Sequence, residues 1–498
     1  MQINIRLNKN FTTAFNRMLD KYGEEFAKLN GFSDEYLSYT DFIDNFVDSE
    51  TVADASVDGN ANVGNKDMRT LMNEMPKPHR KLLAYNKIYY ELNKKYGFKT
   101  ANYWLEKEWT KALYMHDADT STFVPYCFAY DLKDLAEKGL FFLNTFNAEP
   151  PKHLSTFVDF VKEYISYNSN RTSGACGLPN LIPYMYYFWK KDCEEGYATK
   201  SPEYYAKQQI QRFVYAINQP YVRDGMQSAF TNVSVFDEPY LEALFGGTKF
   251  PDGSYMIDSL DEIKEFQKLF MEEVSEIRSH NMMTFPILTI SLLRQNGKFV
   301  DEEFAKWGVK HNMKWADSNL FIDKSVTSLS NCCRLKSNIE DILEGAYFNS
   351  IGGTALKVGS VKVSTINLAR LALENATEQD FLIALKDMVE LDCKVLDVVR
   401  HIIKRNVEKG LLPNFSKGLI DFEHLYSTVG VIGVYEVMKS FGYTKEDEFG
   451  NTYYTDNAMN FGEKIFKVIH QTKDQFTLDK DYKINLEQVP KHNWEHVA

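Results

Sequence analysis

The amino-acid sequence predicts an α/β protein, and three observations carry that prediction. Short β-like runs alternate with amphipathic helices along most of the chain, the order that crossover connections require. Roughly the first hundred residues read as helices alone, a layer ahead of the strands. At 498 residues the chain is long enough for a single barrel-like unit with helical decoration.

In the helical part, Pro76-Lys-Pro-His79 reads as a stop before a helix over residues 80–96, where Leu82, Leu83, Tyr89, Leu92 and Tyr96 recur near helical spacing. Strands are predicted over residues 230–236, 285–293 and 361–367. Ser259-Leu-Asp-Glu262 has the form of a capping box, opening a helix with Ile263, Phe266, Phe270, Val274 and Ile277 on one stripe. A longer helix begins after Thr377 and turns Phe381, Leu385, Met388, Leu391, Val395, Val399 and Ile402 inward. It stops at Gly410, ahead of Pro413, and nothing in it calls for chemistry. Residues 337–359 read as a loop centred on Asn349-Ser-Ile-Gly-Gly353. There is no internal repeat and no low-complexity tract.

Composition narrows the function classes. Hydrophobic residues at 44% and charged residues at 25% exclude a disordered or fibrous chain. Acidic residues outnumber basic ones by 69 to 57, so a broad nucleic-acid surface is not expected. No leader-like start and no apolar run near the ~18 residues of a membrane span are present, which predicts a cytoplasmic protein. The six cysteines are Cys127, Cys176, Cys193, Cys332, Cys333 and Cys393, and none forms a Cys-x-x-Cys pair. They fit a reducing compartment and predict no metal site.

Four segments hold residues capable of chemistry. Ser330-Asn-Cys-Cys-Arg334 puts two thiols beside a basic residue on a polar loop, although free cysteine also serves as a small buried hydrophobe. His116-Asp-Ala-Asp119 reads either as an acid/base or metal pair or as an ordinary hydrogen-bonded structural unit, with Cys127 a few residues on. Arg171-Thr-Ser-Gly-Ala-Cys-Gly-Leu-Pro179 is a small-residue turn before the aromatic run Tyr184-Met-Tyr-Tyr-Phe-Trp189, and such a turn can present N–H groups to an anion. Arg223-Asp-Gly-Met-Gln227 offers an Arg and a Gln to a ligand. Cys176, Cys193 and Cys393 read as packing residues.

Taken together and in this order, these segments resemble class III anaerobic ribonucleotide reductases over nearly the whole chain. Asp58-Gly-Asn-Ala-Asn62 is similar to the family's Glu-Asn-Ala/Ser-Asn stretch, and His116-Asp-Ala-Asp119 to its His-Asp-Leu-Asp. The match continues through Thr172–Pro179 with the aromatic run, through Asn218, Gly225-Met-Gln227 and Phe230-Thr-Asn232, and through Phe285-Pro-Ile-Leu-Thr289. Cys333-Arg334 and Ser364-Thr-Ile-Asn-Leu-Ala-Arg370 complete it.

The resemblance implies a ten-stranded α/β barrel with a central finger loop and surrounding helices. It sets residues 1–100 as an N-terminal helical layer and 101–498 as the barrel, with the finger loop around 325–350. It implies that Cys333, with Cys332 as the alternative, becomes a thiyl radical at the loop tip, and that Cys127 is the second thiol across the substrate ribose. His116, Asp117, Ser360, Asn367, Asn218 and Gln227 are the implied substrate-binding residues, Ser360 standing where some members have Asn. The implied activity is reduction of ribonucleoside triphosphates, with formate or a thiol redox protein as reductant, dNTP and ATP effectors, and a homodimer. The thiyl radical takes the ribose 3′-hydrogen, the 2′-hydroxyl leaves as water, and Cys127 returns a hydrogen atom.

The family's glycyl-radical segment and its zinc site of two Cys-x-x-Cys pairs have no counterpart in these 498 residues. The expectation is that a separate C-terminal glycyl-radical/zinc polypeptide supplies them, charged by a radical-S-adenosylmethionine activase. An N-terminal ATP cone of roughly 100 residues does not fit before Asn60, so none is expected. The alternative reading is a catalytically inactive nucleotide-binding relative, but thiols kept at both Cys127 and Cys333 favour the working enzyme. A formate-lyase type glycyl-radical enzyme would share the barrel, and the motifs around Asn218 and Asn367 disfavour it.

Overall fold

The computed structural model of the chain describes residues 7–48, 68–198, 201–224, 227–281, 283–326, 328–331, 335–338 and 356–488. Helices Lys9–Leu29, Lys77–Tyr96 and Phe98–Trp109 precede the first strand. The expected stop at Pro76–His79 is instead the first turn of the second of these helices, with Pro78 inside it. Proline is tolerated there because a first-turn N–H has no partner within the helix. The buried stripe is Ala84, Tyr85, Ile88, Tyr89 and Leu92, while Leu83 is 42% exposed. Phe11 meets Tyr89 edge-on at 5.6 Å and Trp104 meets Tyr85 at 5.5 Å, and these contacts select that stripe.

Fourteen strands follow among the described residues: β1 Leu113–Met115, β2 Cys127–Ala129, β3 Cys176–Gly177, β4 Thr231–Phe236, β5 Ile287–Gln295, β6 Lys298–Phe299, β7 Ser318–Asp323, β8 Ser328–Asn331, β9 Leu335–Asn338, β10 Val358–Asn367, β11 Leu425–Ile432, β12 Thr444–Glu446, β13 Thr452–Tyr454 and β14 Ile484–Gln488. Ten of them form one sheet in the order β14-β11-β10-β2-β3-β4-β5-β6, with β1 on β10 and β7 on β5. Strands β2, β3, β4, β5 and β7 run parallel, and so do β10, β11 and β14. The two sets meet antiparallel where β2 pairs with β10. The fold is therefore the expected α/β class with the expected ten strands. Among the described residues no ladder joins β14 to β7.

The three strands predicted from sequence form, and β10 starts earlier, at Val358. Parallel strands covered on both faces bury every position. Here one buried face is polar: Asn232 and Ser234 on β4, Thr289 and Ser291 on β5, Ser360 and Thr365 on β10, and Thr428 on β11. Such a lining suits a ligand better than an oily core.

Helix Leu260–His280 buries Ile263, Phe266, Phe270, Val274 and Ile277 as predicted. Its expected capping box does not form, because Ser259 ends the 3₁₀ turn Met256–Ser259 and its side chain makes no cap bond. Thr377 does cap helix Glu378–Glu408: its hydroxyl oxygen accepts from the Asp380 N–H at 3.1 Å and donates to the Asp380 carboxylate at 2.7 Å. All seven predicted inward residues are buried, and Gly410, at φ +71°, follows the helix end. The helix also buries Asp392, Asp397 and Arg400, which the apolar pattern gave no reason to expect. Asp397 accepts from Lys95 at 2.5 Å, Tyr96 at 2.7 Å and Tyr482 at 2.8 Å, tying three distant segments together. Among the described residues no helix is long and apolar enough to cross a membrane.

Candidate active site

Cys127 opens β2 at the antiparallel seam, as the register partner of Ser360. It is 4% exposed and packs with Ala175, Tyr126 and Phe230. Backbone bonds fasten it on both sides: Tyr126 N–H to the Ser360 carbonyl at 3.1 Å, and Gly174 N–H to the Tyr126 carbonyl at 2.8 Å. The Cys127 sulfur accepts the Ala175 N–H at 3.2 Å. Two glycines make this fit. A Cβ on Gly174 would stand 2.3 Å from the Cys127 sulfur, and one on Gly359 would stand 2.1 Å from the Cys127 carbonyl oxygen. The Ser360 hydroxyl meets that of Thr428 at 2.8 Å and donates to the Lys362 carbonyl at 3.0 Å.

The His116-Asp117 corner lies beside this thiol. The His116 ring is buried, 2.8 Å from the Thr365 hydroxyl and 6.3 Å between centroids from Tyr126. Burial, then the charge of Lys362, pushes His116 down to about 3, so the imidazole is neutral at physiological pH. Asp117 adopts a left-handed backbone, φ 44° and ψ 46°, and caps nothing with its side chain. Asp117 is exposed to solvent. The surroundings raise its carboxyl above the ordinary value, and Lys362 opposes the rise.

Arg223 braces the neighbouring turn, donating to the carbonyls of Thr172 at 3.2 Å and Ser173 at 2.8 Å. Gln227 and Arg223 form a backbone bridge. Asn218 donates to the carbonyls of Val214 and Phe285, each at 2.7 Å, and accepts the Phe285 N–H at 3.1 Å. Both of its amide hydrogens are therefore engaged in the fold. Asn367 caps the short helix Leu368–Glu374 through the Arg370 N–H at 3.0 Å. It sits at the far end of β10 from Ser360, about 20 Å away at strand rise, too far to touch the same ribose. Cys127 and Ser360 are thus register partners, and Lys362 two residues on ties the His116-Asp117 corner to the same strand. Asn218 reaches the Cys127 cluster only through Phe285 and Phe230, and Asn367 lies at the other end of β10. Cys332, Cys333, most of the expected finger loop and the Asp58–Asn62 stretch lie outside the described residues.

Sequence reasoning missed Lys362, Thr428 and the two glycines. Lys362 is a wholly buried lysine in a predicted strand, and a lysine amid apolar and small residues was the available signal.

A two-part parallel sheet, with a buried thiol at its antiparallel seam and a polar inner lining, defines an α/β protein whose candidate site is built round Cys127. Residues 73–495 match the family model of anaerobic ribonucleoside-triphosphate reductase. The anaerobic ribonucleotide reductase from Thermotoga maritima, solved in complex with dATP and CTP, is 35% identical with a TM-score of 0.84, the alignment covering 98% of this chain and 77% of that one. Another structure of the Thermotoga maritima enzyme, with glycerol in the active site, is 36% identical with a TM-score of 0.84, covering 99% and 77%. A further anaerobic ribonucleotide reductase is 33% identical with a TM-score of 0.84, covering 98% and 75%. No curated protein sequence matches this chain. The chain belongs to the anaerobic ribonucleoside-triphosphate reductase family.

Proposed function

We propose that this chain reduces ribonucleoside triphosphates to 2′-deoxyribonucleoside triphosphates, with Cys127 and Cys333 addressing opposite faces of the ribose. The observation that carries the reading is the seat of Cys127: its sulfur is closed in by Gly174 and steadied by the Ala175 N–H, and its carbonyl is closed in by Gly359, the neighbour of Ser360. A sulfur that accepts an N–H retains its own S–H hydrogen for donation. Close walls also suit radical chemistry, which side reactions defeat when water or oxygen enters.

In this reading Cys333 takes the 3′-hydrogen, the 2′-hydroxyl gains a proton and leaves as water, Cys127 donates its thiol hydrogen to C2′, and Cys333 finally gives the 3′-hydrogen back. Formate or a thiol redox protein supplies the electrons that close the balance. Asp117, Ser360, the neutral His116 and the Arg223–Gln227 turn orient the sugar and its phosphates. Asn218 and Asn367 hold the backbone that frames them. A glycyl radical supplies the unpaired electron for Cys333, carried by a separate zinc-bearing polypeptide and formed by a radical-S-adenosylmethionine activase. The working form is a homodimer regulated by dNTP and ATP effectors in the cytoplasm.

The test is strictly anaerobic turnover of a ribonucleoside triphosphate by the chain with the glycyl-radical polypeptide and activase, comparing wild type with Cys333→Ser and Cys127→Ser. Product from wild type alone supports the reading. Equal product from wild type and Cys333→Ser overturns the thiyl assignment, and ribonucleotide binding without turnover in any combination favours the inactive relative.

A further inference from the structure

Lys362 is fully buried, and among the described residues it forms no ion pair. Removing an ammonium from water costs several kcal/mol, so its surroundings must use the donors it brings. Its Nζ donates to the His116 carbonyl oxygen and to the Ser121 hydroxyl. The Ser121 hydroxyl in turn reaches the His116 carbonyl at 2.5 Å and the Asp117 carbonyl at 2.8 Å. Lys362 and Ser121 thus grip the carbonyls of the two residues that make the corner.

Two features of the backbone show why a grip is needed. Asp117 is a non-glycine residue at φ 44°, a strained conformation that persists only when neighbours impose it. On the other side, β10 carries an irregularity beside the site: Ser360 pairs with Tyr426 and Val363 with Thr428, so three steps along β10 match two along β11. An extra residue of this kind re-aims a side chain, and here Lys362 is the residue at the bulge.

We infer that Lys362 is a positioning residue, which with Ser121 locks the left-handed His116-Asp117 corner so that the Asp117 carboxylate faces the substrate beside Cys127. The assignment rests on the reductase reading of that site. The charged groups that face Lys362 agree with this placement: burial draws its amine down to about 7, while Asp117 and Asp119 from the corner and Glu108 from helix Phe98–Trp109 oppose the fall. A methionine of similar length would fill the space without gripping anything.

Amide hydrogen exchange, read together with equilibrium binding of CTP, tests the lock on the full chain. In Lys362→Met the amides of residues 117–122 should exchange about tenfold faster or more, with those of the β10–β11 ladder beyond the bulge unchanged. Ser121→Ala should loosen the same amides, and the double variant should go no further, because the two side chains act as one unit. CTP affinity should fall in both single variants, and Lys362→Gln, which keeps N–H donors, should recover part of both signals. Corner exchange equal to wild type in Lys362→Met overturns the inference, as does a rise spread evenly over β10 and β11. Should Lys362→Met not fold, unchanged corner exchange in Ser121→Ala overturns it. A wild-type chain that binds no CTP sinks the reductase reading instead, and the exchange data separate that failure from failure of the lock.

Discussion

Cys127 and Ser360 stand opposite one another across the seam between the two parallel halves of the sheet, and each is held by a different neighbour. The Cys127 sulfur takes the Ala175 N–H, while the Ser360 hydroxyl turns to Thr428 on β11. The serine side chain is thus anchored in its own half of the sheet, and the thiol is anchored in the other. A ligand at the seam would meet the thiol and the hydroxyl from separate rigid supports, the arrangement that keeps reactive geometry within a fraction of an ångström.

The tightest point of that seat is Gly174. Gly174→Ala places a methyl 2.3 Å from the Cys127 sulfur and 2.9 Å from the Tyr126 carbonyl oxygen, and the backbone atom cannot step aside. Overpacking of this kind should cost about 1–3 kcal/mol in urea unfolding. Adding Cys127→Ala should recover part of the loss, since it removes the nearer of the two obstacles. A double variant no more stable than Gly174→Ala would show that the sulfur is not the constraint.

Asp397 should be the most acid-sensitive tie between the helical layer and the sheet. Burial works against its charge, yet hydrogen bonds from Lys95, Tyr96 and Tyr482 together hold its carboxyl below the ordinary value. A depressed carboxyl contributes stability above the unfolded value of ~3.9 and loses it as pH falls through the lower folded value. Asp397→Asn should therefore destabilise by about 2 kcal/mol at pH 7, because Lys95 is half exposed and its share is screened. The gap in urea midpoints between variant and wild type should narrow as pH falls below ~4, and a gap as large at pH ~3 as at pH ~7 would contradict the assignment.

What the sequence disclosed followed from periodicity, and what it hid followed from contact across long separations. Strand β4 and helices Leu260–His280 and Glu378–Glu408 were legible because apolar residues recur at strand or helix spacing. Ser259 carried a capping-box pattern that its 3₁₀ backbone cannot use, whereas Thr377, with the same type of signal, caps. The partners of Asp397 are 302 and 301 residues away at Lys95 and Tyr96, beyond any local pattern. The corner was legible as a motif in His116 and Asp117. Its support was not, because a one-residue bulge decides where Lys362 points, and no periodic rule encodes a bulge.

Asn218 separates a structural from a ligand-binding use of one amide. Asn218→Ala would leave the Phe285 N–H and carbonyl without their partner, which should cost about 1–3 kcal/mol. If the amide serves the fold, CTP affinity measured well below the melting temperature should stay within about twofold of wild type. A loss of affinity with unchanged stability would return Asn218 to the substrate.

His116 and Asp392 should give the protein two opposed pH dependences that cancel in the wild type. Burial, with the Lys362 charge, takes His116 down to about 3, below its unfolded value of ~6.5. Between those values only the unfolded chain holds the proton, so stability rises with pH. Burial takes Asp392 up to about 7, Ser364 opposing and Glu108 reinforcing, against an unfolded value of ~3.9. There only the folded chain holds the proton, so stability falls with pH. Each slope is about 1.4 kcal/mol per pH unit, and they overlap from pH ~4 to ~6.5. The buried amines of Lys81 and Lys362, both lowered to about 7, contribute only above that window. Measured as differences from wild type, urea unfolding from pH ~4 to ~6.5 should therefore show His116→Asn losing stability with rising pH and Asp392→Asn gaining it. Asp392→Asn should also be more stable than wild type at pH 8 by about 1–2 kcal/mol, because it removes a carboxylate whose charge the interior does not welcome. Parallel pH profiles for the two variants would show that neither group is held in the state its surroundings dictate.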